Sequence, residues 1–273
     1  MDLLARRLRR ALPVRQTLRV HLGPQQMHSV VLQGGKPVAG STQHFVFSNP
    51  AGHWQGALDM LRSLLLQDEH TAARRPLEVS LSHRWCQLVQ APWSDALLSE
   101  PGASRFLQTQ LAIVYGDDAR AWSIAADDAP YGKPRIVCGI DAALPQAIQD
   151  VAHQQQHRCL AIEPAVSAVL RSQPPAPIQA LALIEGGRLT MAVLERGRII
   201  ALQSQPCGAK WSVELPQAWQ RWTLRSPELA DVGAVMVTNL DAEPATLASV
   251  LPSRFQLAEQ PFGQPAAAKR EAA

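Results

Sequence analysis

The residue patterns in this chain that could carry out chemistry are few, and each is incomplete. His153 and His157 stand one helical turn apart, the spacing with which a zinc hydrolase helix presents two imidazoles. The residue after His153 is Gln154, where such a helix needs its general-base glutamate. A solvated polar helix face is therefore the expectation for His153 to His157. Asp117-Asp118 and Asp127-Asp128 are paired carboxylates, but both lie in polar, turn-like stretches where Asp serves the backbone. The chain has no Gly-x-x-x-x-Gly-Lys-Ser/Thr phosphate loop and no Gly-x-Ser-x-Gly elbow. Its eight histidines are joined to serine by no local signature of a triad. Cys86, Cys138, Cys159 and Cys207 are widely spaced with no Cys-x-x-Cys, so buried reduced thiols are expected rather than a zinc knuckle or redox pair. No catalytic residue and no metal ligand is expected from these patterns.

The elements that would position these residues follow from periodicity. Leu18–Leu22 and Met27–Leu32 alternate as strands, and Gly34-Gly35 supplies the positive φ of a tight turn into a third strand over Pro37–Phe47. Leu58, Leu61, Leu64 and Leu65 share one face of a helix over Trp54–Leu66, and Leu77–Leu81 is a fourth strand. The grammar returns with strands at Ala180–Ile184, Leu189–Leu194 and Ile199–Gln205, a helix over Trp211–Leu224 and a strand at Ala234–Thr238. The two hairpins superimpose with an offset of 162 positions: Gly35-Lys36 on Gly197-Arg198, Val31-Leu32 on Val193-Leu194, and Gln43 on Gln205.

Between the repeats lies a block of different pattern. His83–Pro92 reads as a continuing strand, and Ala96–Val114 as a helix broken near Pro101-Gly102. Ala121–Ala125 and Arg135–Ile140 read as a strand pair, Ala142–His157 as a helix, Cys159–Ile162 as a strand and Glu163–Arg171 as a helix. Pro174-Pro175-Ala176-Pro177 is the expected connection between the halves. Trp211, Trp219 and Trp222 fall on one helical face, which suits core packing better than base stacking, since only Lys210, Arg221 and Arg225 accompany them.

Composition narrows the classes. The chain has 273 residues, 47% of them hydrophobic, enough for two lobes and too apolar for disorder. A net charge of +3 on 26 basic and 23 acidic residues gives no global field for nucleic acid. No segment approaches the ~18 apolar residues that a membrane span requires. The basic stretch over 1–16 sets Leu3, Leu4, Leu8 and Leu12 opposite arginines, the pattern of a short helix for a membrane surface or a partner. It has no apolar core of a secretory signal. The tail from 262 to 273 has too few large apolar residues to pack and is expected to be disordered.

Val79–His83 followed by Ala91-Pro92-Trp93, then Leu111–Gly116, Trp122, Tyr131-Gly132-Lys133-Pro134-Arg135 and Gly139-Ile140-Asp141 resembles the cytoplasmic actin-like proteins of type IV pilus and type II secretion assembly. These are the PilM, MshI-like and GspL-cytoplasmic proteins, and the resemblance runs over most of 15–260. It implies an α/β, actin-like (RNase H-like) fold of two repeated βββαβ lobes, 17–172 and 178–261, with an inserted α+β subdomain at about 93–141. It implies a cytoplasmic adaptor beneath the inner membrane that grips the tail of a bitopic membrane partner.

The resemblance also implies where a nucleotide would sit. The first hairpin of such proteins carries a magnesium-holding acid two positions before a glycine, a place occupied here by His21 and Gly23. Imidazole is not the hard oxygen donor that magnesium prefers, and Pro24 lacks an N–H for a phosphate. In the second hairpin the acid and glycines, Glu185, Gly186 and Gly187, stand in a shifted register. The late turn that would admit the adenosine, Val237-Thr238-Asn239-Leu240, has no glycine. The expectation is a degenerate ATPase site with no cofactor. ATP and magnesium belong to the alternative, a PilM-type protein whose nucleotide state regulates partner binding. A sugar-kinase or polyphosphatase relative would need a catalytic Asp near Ser80–Ser82, which the sequence lacks.

Overall fold

The computed structural model describes residues 16–68, 74–172, 178–229, 231–241, 251–258 and 262. The basic segment before Gln16, the Pro174–Pro177 connection and the tail beyond Phe262 lie outside the described residues. The chain groups into two compact units, the first of 1–80, 147–162 and 262–273, the second of 81–146 and 163–261.

The first unit is built on a sheet of β1 (Gln16–Leu22), β2 (Gln26–Gln33), β3 (Lys36–Pro37), β4 (Gln43–Val46), β5 (Leu77–Leu81) and β9 (Cys159–Pro164). The order is β3-β2-β1-β5-β9, with β4 also pairing to β2. Helix α1 (Trp54–Asp68) buries Ala57, Leu58, Leu61, Leu64 and Leu65, the spacing of one helical face, and packs on β2. Val20, Leu22, Met27, Leu77 and Val79 are buried on the sheet, and Val30, which pairs with Arg19, is buried on the face opposite Val20, Leu22 and Met27.

The second unit has a sheet of β10 (Ile178–Glu185), β11 (Arg188–Glu195), β12 (Arg198–Pro206), β13 (Val235–Asn239) and β14 (Phe255–Leu257), in the order β12-β11-β10-β13-β14. With β3 and β4 taken together as one interrupted third strand, both sheets run 3-2-1-4-5 in chain order, as the repeat requires. The register agrees residue by residue: Gln16 faces Gln33 and Leu22 faces Met27, while Ile178 faces Glu195 and Ile184 faces Leu189. Each pair of the first hairpin maps onto the second at the 162 offset.

The third strands depart from it. The stretch Pro37–Phe47 is two short strands, interrupted around Gly40, whose φ of 74° breaks the ladder. Because Ser29 pairs with Gln43 while Met191 pairs with Gln203, Gln43 is equivalent to Gln203 and not to Gln205. The second sheet instead takes up a bulge between Val193 and Leu194.

Helix α5 (Trp211–Arg225) lies on the second sheet, with Trp211, Leu215, Ala218, Trp219 and Trp222 buried against β10, β11 and β13. The same unit carries a three-stranded sheet, β6-β8-β7, of β6 (Cys86–Ala91), β7 (Trp122–Ala126) and β8 (Arg135–Asp141). Helix α2 (Gly102–Tyr115) covers it with Ala103, Leu107 and Leu111, and Trp93, Tyr115 and Trp122 pack on that core. The Pro-Trp and Tyr-Gly residues that carry the family resemblance thus include packing residues of this layer.

Three local expectations change. His83–Pro92 is not one strand, because Trp85 and Cys86 N–H both bond back to the Ser82 carbonyl and turn the chain into β6. Helix α3 (Ala143–Gln154), capped by the Asp141 carboxylate on the Ala143 N–H, ends before His157, with Gln156 at a φ of 58°. His157 is consequently buried, its Nδ1 2.9 Å from the Arg75 carbonyl, rather than part of a solvated helix face. Strand β9 runs on through Pro164, because a residue before proline disfavours helical geometry, and α4 (Ala165–Ser172) starts after it.

Candidate functional site

The site residues of the second unit gather at the ends of β10 and β13. These strands are parallel neighbours, so Ile184 lies beside Asn239 and both chains leave the sheet at the same edge. Glu185 closes β10 opposite Arg188, leaving Gly186 and Gly187 as a two-residue turn with φ values of 56° and 74°. That turn needs positive φ at both centres, which explains the glycine pair without reference to a ligand.

Hydrogen bonds knit these residues together. The Gly186 N–H donates to Asp241 Oδ1 at 3.0 Å, and the Asp241 N–H donates to Asn239 Oδ1 at 2.9 Å. The Leu240 N–H donates to the Ile184 carbonyl at 2.9 Å. Glu185 is only 2% exposed, and its Oε2 accepts the His83 N–H at 3.2 Å. His83 Nδ1 lies 3.1 Å from Thr190 Oγ1, which in turn lies 3.1 Å from Ser204 Oγ. Arg188 Nη1 donates to the same Ser204 hydroxyl at 3.3 Å. A carboxylate of the chain itself, Asp241, therefore occupies the donor that the glycine turn would offer an anion. Glu185, Gly186 and Asn239 are the positions that the family resemblance singles out. His83, Thr190 and Asp241 were not readable as site residues, since their partners lie 55 to 107 positions away.

His21 and Gly23 belong to the first unit. His21 has no exposed surface, and its Nδ1 is 3.1 Å from Ser80 Oγ. Its ring stacks on Phe262 with centroids 5.1 Å apart, and lies 6.1 Å from His28, which itself stacks on His44 at 4.3 Å. Phe262, the residue at which the tail was expected to become disordered, is fully buried in this stack. The Gly23 N–H donates to the Gln26 carbonyl at 2.8 Å, and Asn49 Nδ2 holds the Pro24 carbonyl at 2.8 Å. The loop that carries Gly23 is thus pinned by its own chain. Among the described residues, no group of three or more His, Cys, Asp or Glu side chains is arranged to hold a metal ion.

A second feature of the second unit is a groove of about 580 Å³ between β7, β8, α4 and the β11–β12 turn. Leu88, Ile136, Cys138, Val166, Leu170 and Ile199 make its apolar floor. Asp127, Asp128, Arg171 and Arg198 stand at its rim. Arg198 Nε pairs with Asp127 Oδ2 at 3.2 Å and its Nη2 donates to the Pro134 carbonyl at 2.7 Å, while Arg171 pairs with Glu163. Asp127 Oδ1 also accepts the Ile136 N–H at 2.7 Å, so this carboxylate holds the hairpin as well as the rim.

No protein-family model matches the chain, and no curated protein matches it. Solved structures do. The cytoplasmic domain of EpsL, an inner-membrane component of the type II secretion system of Vibrio cholerae, superimposes with a TM-score of 0.56 at 17% identity, over 90% of this chain and 91% of its own. A PilM–PilN type IV pilus biogenesis complex superimposes with a TM-score of 0.59 at 11% identity, over 92% and 91%. A Bacteroides thetaiotaomicron protein of unknown function, described as having an actin-like ATPase fold, gives 0.51 at 11% identity, over 86% of each chain. Together with the two 3-2-1-4-5 sheets, these similarities establish that the chain has the actin-like fold.

Proposed function

We propose that this protein is a non-catalytic adaptor at the cytoplasmic face of a type IV pilus or type II secretion platform, binding the tail of a bitopic inner-membrane partner. The observation that carries this reading is His21. At the place where the family resemblance expects a magnesium-holding acid stands an imidazole buried between a serine hydroxyl and a phenyl ring. Magnesium takes oxygen ligands and keeps several waters, and a fully buried ring stack offers neither. The Asp241 carboxylate on the Gly186 N–H supports the same conclusion, since it repels a phosphate from the remaining glycine turn. Similarity to a PilM–PilN complex and to an inner-membrane component's cytoplasmic domain supports the partner class. The groove floored by Leu88, Ile136 and Leu170 is the proposed seat for the partner's tail. No helix among the described residues is long and apolar enough to cross a membrane.

Thermal melting with and without Mg-ATP tests the non-catalytic half. A nucleotide bound with a Kd one hundredth of its concentration stabilises the fold by about 2.7 kcal/mol and moves the melting temperature by several degrees. The expected shift at millimolar Mg-ATP is none; a shift of several degrees overturns the reading in favour of nucleotide regulation. For the adaptor half, a photo-crosslinking residue at Ser167 on the groove should capture a membrane-inserted protein in cells. Capture of soluble proteins only, or of nothing, sinks it.

A further inference from the structure

Cys86 and Cys138 are separated by 52 positions, yet their sulfurs lie 2.9 Å apart. Both thiols are free. Strands β6 and β8 are antiparallel, with Cys86 opposite Ile140 and Leu88 opposite Cys138, so the two cysteines are diagonal neighbours on one face of the sheet. Disulfide bonding needs a sulfur separation of about 2.05 Å, less than 1 Å closer than they stand. The two side chains differ in access. Cys86 is buried, whereas Cys138 is half-buried and forms part of the groove floor.

We propose that Cys86 and Cys138 are a reversible dithiol–disulfide pair, with Cys138 the member that meets an incoming small-molecule disulfide through the groove. The electrostatics agree with this division of roles. The hydrogen bond between the two thiols draws the Cys138 pKa below its ordinary value, against the opposing effect of burial. Cys86 is pushed well above its ordinary value by its hydrogen bond to Cys138, then by burial and by the Cys138 and Glu185 charges. Cys138 is therefore the more readily ionised of the two thiols.

The reaction balances with a low-molecular-weight disulfide, RSSR, as oxidant. The Cys138 thiolate attacks one sulfur of RSSR, forming Cys138–S–SR and releasing RS⁻. Cys86 then loses its proton and attacks Cys138 Sγ, forming the Cys86–Cys138 bond and releasing a second RS⁻. The two protons given up by the protein thiols end on the two RSH molecules. Two cysteines are oxidised and one RSSR is reduced. The proposal stands whether or not the groove also seats a partner's tail.

The test is exposure of the folded protein to oxidised glutathione, followed by intact-mass measurement and tryptic mapping without reduction. The expected result is a loss of about 2 Da, reversed by dithiothreitol. Peptides 85–105 and 136–158 should be joined, with those carrying Cys159 and Cys207 left separate. In Cys86→Ser the reaction should stop at an adduct of about 305 Da on Cys138. Cys138→Ser should slow the reaction of residue 86 by about tenfold or more. A wild-type protein that accumulates the adduct without joining the two peptides, or that joins Cys159 or Cys207 instead, overturns the proposal. So does unchanged reactivity of Cys86 in Cys138→Ser, and the wild-type mapping decides the matter even where a variant folds poorly.

Discussion

Gly139→Ala isolates the packing of the central layer. Gly139 sits in the middle strand β8, between Gln87 of β6 and Ile124 of β7. A Cβ added there would lie 2.7 Å from Trp122 Cε3, 2.9 Å from Leu111 Cδ1 and 3.2 Å from Leu111 Cδ2. Carbon atoms prefer separations of about 3.5–4.0 Å, so both neighbours must move. Leu111 is fully buried, so it cannot retreat into solvent. Overpacking of this kind costs about 1–3 kcal/mol. Gly139 is not among the residues with positive φ, so alanine adopts its backbone without strain and recovers about 0.4–1 kcal/mol from the unfolded chain. The net expectation is a loss of about 0–2.6 kcal/mol. Leu111→Ala alone leaves a cavity and costs about 2–5 kcal/mol. The double variant places the new methyl group in that cavity, so its loss falls short of the sum by about 0.5–3 kcal/mol. Urea unfolding followed by circular dichroism reads all four proteins. Additivity within about 0.3–0.5 kcal/mol, or a Gly139→Ala protein more stable than the parent, refutes the packing argument.

Two further expectations concern the second sheet. Trp219 is 2% exposed and meets Trp222 edge-on at 5.5 Å, so Trp219→Ala should cost about 3–5 kcal/mol in urea unfolding and Trp219→Phe clearly less. The Cys207 thiol is pushed up to about 12, first by burial and then by Glu214. The folded state therefore holds this proton more tightly than the unfolded chain does. Its contribution to stability is fully present below the ordinary value of 9.0 and is lost as pH rises towards about 12, so Cys207→Ala should flatten the fall in melting temperature across that window.

The sequence carried the repeated hairpins well because alternation and a paired-glycine turn are local signals. Gln16–Gln33 and Ile178–Glu195 duly share one register. Where tertiary context intervenes, the reading slips. Gly40 splits the third strand of the first sheet, so a match of Gln43 to Gln205 made on letters is off by two positions in the ladder. The turn at Ser82 passes the chain from one sheet to another, and apolar alternation continues across it without a mark. Strand β14, with three residues, is too short for any period to show. Among the candidate site residues, Glu185, Gly186, Gly187 and Asn239 were named through the family resemblance, which points to the turns after particular strands. The Asp241 carboxylate on Gly186, the Phe262 ring on His21 and the Cys86–Cys138 contact were not legible, because each joins positions that only folding brings together.

The unequal third strands bear on solubility. An edge strand with unpaired backbone groups is a template for association with other chains. In the first sheet the break at Gly40 leaves two short strands, one of which ends in Pro37, and neither offers a long template. Strand β12 has nine residues and would be an open edge. The side-chain amide of Gln90 donates to the Ile200 carbonyl at 3.0 Å, and Arg198 reaches the Asp127 carboxylate and the Pro134 carbonyl beside it. The three-stranded layer thus covers part of the β12 edge, at Ile200 and Arg198, and blunts it as a template for another chain.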